Sequence, residues 1–234
     1  MNDFSQAFFK AVQLITQLDP DLLEIVFLSL RVSLTAVFIA SIIGLPLGAA
    51  LALYKFFGRG FIVALLNAFM GLPPVVVGLV VYLILSRSGP LGVLGLLFTP
   101  TAMIFAQVCL ITPIVAALSR QTILDANDEY YDQLRALGAN SLNMMRTLLW
   151  ETKYSLLTCI VAGFGRAIAE VGAVLIVGGN INHSTRVMTT AIALETRKGN
   201  VELALALGMI LIVISLLVTS IVMSVKHAAY QYHN

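Results

Sequence analysis

Charge is scarce in this chain. Only 11% of its 234 residues are Asp, Glu, Lys or Arg, whereas a soluble domain carries about 25%. A freely soluble domain is excluded on that ground. Cysteine is nearly absent: Cys109 and Cys159 are the only two, and both sit inside apolar runs. They read as small core residues, not as a disulfide or a metal pair. No GxxxxGK[ST] phosphate loop, HExxH or GxSxG motif occurs, so nothing marks an ATPase, an enzyme, a metal site or a cofactor site. The net charge of +2 comes without a basic stripe, which leaves no signal for nucleic acid. No cleavable signal peptide is expected, because the first apolar run follows a polar, acidic start without a small-residue cleavage site. Intramembrane ionisable groups are also few, and no internal inverted repeat is visible, which argues against a self-sufficient channel or ion-coupled transporter.

What the chain has in abundance is apolar length. Hydrophobic residues make up 59% of it, and runs such as VSLTAVFIASIIGLPLGAALALY exceed the ~20 residues that cross a bilayer. Five hydrophobic segments are read at 22–54, 61–86, 100–120, 154–178 and 201–226. Pro46, the pair Pro73–Pro74 and Pro113 interrupt three of them, and each proline removes a backbone donor and bends its helix. Gly44 and Gly48 on the first span, and Gly165, Ala169 and Gly172 on the fourth, form small faces that let helices approach closely. Before the spans, residues 1–21 form a separate N-terminal segment. Phe4, Phe8, Ala11, Val12, Ile15 and Leu18 fall on one helical face there, so residues 3–18 read as an amphipathic helix on the membrane surface or as a frayed terminal helix. Asp19, Pro20 and Asp21 end it and cap the first span. Lys and Arg nearly balance between the two sets of loops, so charge alone does not orient the chain.

One polar island, DEYYDQLRALGANSLNMMRTLLWE at 128–151, interrupts the apolar sequence. Leu134, Leu137, Leu142, Met145, Leu148 and Leu149 recur in it at three- and four-residue steps, which is a helical period with one apolar face. Asp125, Asn127 or Asp128 can cap its start, and Gly138 followed by Ala139, Asn140 and Ser141 ends one helix and caps another. Two short amphipathic helices joined at Gly138, near 128–150, are therefore expected outside the bilayer. They serve either as a surface for a partner or as packing on the protein's own membrane ends. Deep in the fourth segment, Arg166 and Glu170 stand four residues apart, on one helix face where they can pair. Burying either alone would cost at least ~2.5–3.5 kcal/mol. They act either as a structural lock or as part of a pathway for an anion.

The island resembles the cytoplasmic coupling motif of ABC importer permeases, in which Glu-Ala-Ala is followed after three residues by Gly. Asp132, Gln133 and Leu134 occupy the first three positions, Gly138 is the glycine and Ala139 follows. The family's closing Leu-Pro pair falls at Trp150 and Glu151 and is missing. SLRVSLTAVFIASIIGLPLGAALAL at 29–53 is similar to the first helix of these permeases, and GLPPVVVGLVVYLILSRSGPLG at 71–92 to the proline-bearing span of the oxyanion group. GFGRAIAEVGAVLIVGGNI at 163–181 is similar to the signature of molybdate, tungstate and sulfate permeases, with the tungstate branch nearest.

The resemblance implies an all-α integral membrane protein. Its fold would be a type I importer permease (MetI-like) bundle with five membrane helices, six if residues 3–18 also cross, and a transmembrane domain over 22–234. It implies a homodimer in the cytoplasmic (inner) membrane, with two ATP-binding subunits inside and an extracytoplasmic substrate-binding protein that delivers tungstate, with molybdate or sulfate as alternatives. The island would then lie inside the cell in a cleft of the ATPase. The polar stretch from Gly178 to Asn200 would face outside, where Asn180, Asn182, His183, Ser184, Thr185 and Arg186 serve an outer gate, meet the binding protein, or form a solvated loop. His183 alone makes no metal site.

Overall fold

The computed structural model describes residues 2–17 and 19–231, with side chains for 8–17 and 19–226. Among the described residues every regular element is a helix: α1 (Asn2–Thr16), α2 (Pro20–Leu53), α3 (Arg59–Met70), α4 (Pro74–Leu85), a 3-10 turn (Gly92–Leu94), α5 (Pro100–Ala136), α6 (Ser141–Glu151), α7 (Lys153–Ile168), α8 (Gly172–Gly178), α9 (Met188–Lys198) and α10 (Val201–Gln231). Three of them, α2, α5 and α10, are long and apolar enough to cross a membrane, and the bent pairs α3–α4 and α7–α8 make five if each is one span. With 15 residues, α1 is shorter than a simple crossing requires. Its Ala11 is buried while Phe8, Phe9 and Val12 are exposed. Phe4 and Leu18 of the expected amphipathic face lie outside the residues described in side-chain detail.

Local chemistry explains most boundaries. Asp19 Oδ1 accepts from the N–H groups of Asp21 and Leu22, both at 3.1 Å, and Pro20 takes the first helical position of α2. Pro73 and Pro74 set the start of α4. Three expectations differ. The island's first helix is not a separate short element, because α5 runs unbroken for 37 residues from the third span to Ala136. Asp125, Asn127 and Asp128 lie inside it and cap nothing, since neither Gly nor Pro interrupts 114–136 to make a stop. Conversely, the fourth segment is not one rod: it breaks at 169–171 between α7 and α8. The polar stretch after it is also not an open loop throughout, for residues 188–198 form α9.

The chain divides into two compact units. The first comprises residues 1–36, 73–107 and 166–217. Within it α4 packs on α8 through small residues: a Cβ at Gly78 would come within 2.7 Å of Ala173 Cα, and one at Gly172 within 2.7 Å of Val75 Cγ2. Of the small face expected on the fourth span, Gly172 therefore makes a close packing contact, whereas nothing approaches Gly165 within 4 Å and Ala169 is exposed. An ion pair of 2.5 Å joins Lys10 of α1 to Glu202 of α10.

The second unit comprises residues 37–72, 108–165 and 218–234. Here the GxxxG pair closes on α5, as small-residue faces do. A Cβ at Gly44 would stand 3.0 Å from Val115, and one at Gly48 would collide with Ser119 Oγ and the Ala116 carbonyl. Ser119 Oγ donates to Gly44 O at 3.3 Å across this contact. Cys159 is buried beside Thr122, while Cys109 is exposed on the surface of α5, contrary to the core position expected from its apolar neighbours.

Candidate functional site

The tip of the island is built by backbone rules. Gly138 has φ +74°, a left-handed conformation that glycine adopts freely. It lets the N–H of Ala139 return to Leu134 O at 3.0 Å, and its own N–H reaches Arg135 O at 2.9 Å, which satisfies carbonyls at the end of α5. Asn140 Oδ1 then accepts from Asn143 N–H at 2.9 Å and caps α6. The apolar face of the island splits in two. Leu148 is fully buried in a cluster with Ala49, Ala52, Ile123 and Ala126, with Leu134, Met145 and Leu149 packed against it. Leu137 is 82% exposed, and Leu142 and Trp150 are exposed as well. The inward half holds the tip on its own unit, and the outward half is exposed. Asp132 and Gln133 are exposed beside it, and among the described residues Asp132 forms no ion pair.

A second polar centre lies in the first unit, at the break between α7 and α8. Glu170 is 4% exposed. Its Oε2 pairs with Arg166 Nη1 at 2.5 Å, its Oε1 accepts from Ala173 N–H at 3.0 Å, and its carbonyl accepts from Thr189 Oγ1 at 2.7 Å. One carboxylate therefore neutralises Arg166 and ties down an open N–H at the start of α8. A niche of about 10 Å³, the size of a single water, adjoins it and is lined by Ser29, Ser33, Gln107, Glu170 and Thr189 among others. Gln107 Nε2 donates to Ala167 O at 3.1 Å, while its buried Oε1 has no protein partner. Ser29 Oγ accepts from Met188 N–H at 2.7 Å, at the start of α9. Sequence reasoning missed Gln107, Ser29 and Thr189. The available signal was a lone polar residue inside an apolar run, as in MIFAQVCLI.

The polar stretch from Gly178 to Asn200 is more ordered than its composition implies. Thr185 Oγ1 donates to Gly178 O at 2.5 Å and accepts from Ile181 N–H at 3.0 Å. Asn180 takes φ +52° and donates from Nδ2 to Thr190 O at 3.3 Å. Asn182 and Ser184 are exposed, and Arg186 is half-buried. His183 Nδ1 meets Glu24 Oε2 at 2.8 Å, and this hydrogen bond, followed by the charge of Glu24, raises the imidazole pKa above its ordinary value. Asp21 joins them, so that one ligand atom of each of the three lies within 4.8 Å of the others. All three are exposed, and the histidine–carboxylate contact accounts for their proximity.

Comparison with known proteins gives these features a context. The family described as "Binding-protein-dependent transport system inner membrane component" matches residues 44–227. A probable anion ABC transporter permease protein of Haloferax volcanii is 44% identical over 83% of this chain and 86% of its own length. A tungstate uptake system permease protein, TupB, of Peptoclostridium acidaminophilum is 39% identical over 97% of this chain and 99% of its own. The sulfate transport system permease CysW of Escherichia coli K12 is 30% identical over 78% of this chain and 66% of its own. A chain from inward-facing structures of the MetNI methionine ABC transporter superposes with a TM-score of 0.76 over 91% of this chain and 97% of that one at 17% identity, a likeness of fold. The chain is a member of the binding-protein-dependent transport family, a multi-pass inner-membrane permease component of ABC importers and not itself a catalyst.

Proposed function

We propose that this chain is the permease of an ABC importer for tungstate, working as a homodimer with two ATP-binding subunits at the island and an extracytoplasmic binding protein at the outer stretch. The observation that carries the substrate is the 39% identity with a tungstate uptake permease across 97% of the chain. The observation that supports coupling is the tip itself. Gly138 turns the chain at the end of α5, and exposed Leu137, Asp132 and Gln133 stand on the outward side while Leu148 anchors the base. A groove on the ATPase would take the apolar residues, and its movement would be passed to the membrane helices as a rigid-body rock that alternates access.

Arg166 and Glu170 take the structural role in this reading. Glu170 is already committed to Arg166, Ala173 and Thr189, and an unmasked cation would hold a dianion too tightly for passage. Asn182 and Arg186 are the side chains offered to the binding protein. Asn180 serves chiefly to bind the stretch to α9 through Thr190 O.

The test is ATP-dependent uptake by vesicles carrying the chain with its ATPase and binding protein, with tungstate, molybdate and sulfate in competition. Tungstate uptake that excess sulfate does not suppress is expected. Uptake confined to sulfate or molybdate would keep the importer and overturn the substrate. The 30% identity with a sulfate permease makes sulfate the alternative to include. Absence of ATP-dependent uptake of all three by an assembled complex would overturn the coupling role as well.

A further inference from the structure

The second unit contains a cluster of positive charge apart from the tip and the polar stretches described above. A cavity of about 310 Å³ is lined by Lys55, Phe56, Arg59, Gly60, Val63 and Arg120. Three of these six residues are cations, and no carboxylate lines the cavity. Among the described residues none of the three cations forms an ion pair. Arg59 donates from Nε to Leu51 O at 2.7 Å and from Nη2 to Ala52 O at 3.1 Å. The guanidinium is thereby fixed in place by neutral carbonyls, with its charge unmatched. Arg120 Nε is buried and has no partner, a costly state for a donor that nothing satisfies. Gly60 belongs to the first turn of α3, whose N-cap Gly58 supplies no side-chain cap, so that turn adds N–H groups of the kind that favour an anion.

The rim of the cavity is apolar in a particular way. Phe57 is fully exposed, and Phe56 and Phe61 are exposed as well. Of α3, only Leu66 is buried, so the helix presents aromatic and aliphatic side chains outward along its length. A basic pocket with an apolar rim is the arrangement expected where a protein meets the anionic headgroups of a bilayer. A free anion from water has no use for that rim, whereas the acyl chains of a lipid do.

We infer that the Lys55–Arg59–Arg120 cavity binds the phosphate of an anionic phospholipid, whose acyl chains lie along Phe56, Phe57 and Phe61 of the α2–α3 turn and α3. The leaflet in question is that of the coupling tip, and this leaflet assignment alone rests on the proposed function. Lipid binding itself does not require that the chain transport tungstate.

The experiment uses the purified full-length chain in detergent, without ATPase or substrate. Phosphatidylglycerol and phosphatidylcholine are titrated separately and retention is read by native mass spectrometry. Preferential retention of phosphatidylglycerol is expected. At about 1 kcal/mol per basic residue near the headgroup, Lys55→Gln and Arg120→Gln should each lower that preference roughly fivefold. Melting in phosphatidylcholine should be unchanged for Lys55→Gln, whose side chain is exposed, so this variant carries the test even if Arg120→Gln fails to fold. Equal retention of the two lipids by the wild type, or a preference indifferent to Lys55→Gln, would overturn the inference. Displacement of phosphatidylglycerol by millimolar tungstate or inorganic phosphate would overturn it too, and would make the cavity a site for a free oxyanion. Because this readout needs no ATP, its failure is distinct from failure of the uptake experiment.

Discussion

Removing the carboxylate of Glu170 tests the polar centre most directly. Glu170 is 4% exposed, and its side chain makes two separate contacts, one with Arg166 Nη1 and one with Ala173 N–H. Arg166 is 33% exposed at its side chain, so the ion pair is half-screened and its coupling falls below the 3–5 kcal/mol of a fully buried pair, at roughly 1–3 kcal/mol. Loss of the cap at the start of α8 adds about 1 kcal/mol. Glu170→Ala should therefore cost roughly 2–4 kcal/mol, and Glu170→Gln should cost less because its Oε1 still accepts from Ala173. The Arg166→Ala/Glu170→Ala double variant should be less destabilised than the sum of the singles by about 1–3 kcal/mol. For a chain of this size a 2 kcal/mol coupling corresponds to a melting difference of roughly 4–8 °C. The assay is heating of the detergent-extracted protein followed by measurement of the monodisperse fraction, for wild type, both singles and the double. Strict additivity would refute the pair. A double variant that melts like the wild type but takes up no substrate would refute the structural assignment and move Arg166 to the pathway.

Four further outcomes are expected. Gly138→Val should abolish ATP-dependent uptake while leaving insertion normal. A Cβ there meets nothing within 4 Å, so the damage comes from the left-handed backbone at about 1–2 kcal/mol. Gly138→Asn should retain uptake, and equal loss by both would overturn the conformational argument. Gly48→Ala should lower the melting temperature by overpacking worth roughly 1–3 kcal/mol. Adding Ser119→Ala should not restore it, because the Ala116 carbonyl also stands in the way; full rescue would contradict that geometry. Asp132→Ala should weaken co-purification with the ATPase, and unchanged recovery would count against the tip as the docking surface. His183 has a raised pKa, so its contact with Glu24 contributes fully below its ordinary value of about 6.5 and is lost as pH rises through the higher folded value. The melting difference between wild type and Glu24→Gln should shrink on going alkaline, and a difference independent of pH would disprove the contact.

The sequence made the spans legible because an apolar run of membrane length has few other uses, and it made the tip legible because Gly138 and Asn140 are specific turn and cap signals. The four-residue spacing suggested that Arg166 and Glu170 can pair, and they do, but Glu170 stands past the end of α7 in the break and not on a shared helix face. The continuation of α5 into the island was not legible. Polarity changes at the edge of a bilayer without any change in backbone geometry, and Asp125, Asn127 and Asp128 mimic caps wherever they occur. The break between α7 and α8 was hidden for the opposite reason. No proline marks it, and it is held by a carboxylate that reaches Ala173 N–H and by Thr189, which is distant in sequence. The division of the island's apolar face, with Leu148 inward and Leu137 outward, depends on which neighbours arrive from α2. Periodicity cannot supply that.

The unbroken α5 also makes residue count a specification. At 1.5 Å and 100° per residue, its 37 residues extend about 55 Å, well beyond the ~30 Å of hydrocarbon. One amino acid inserted between Asp125 and Ala136 would advance the tip by only about 1.5 Å yet swing it by roughly 100°, turning Leu137 away from whatever it faces. An insertion of four would bring it back to within about 40° of its original bearing. Genes encoding this segment should therefore tolerate changes of letter far better than changes of length, and a single-codon deletion there should silence transport while every membrane span remains intact.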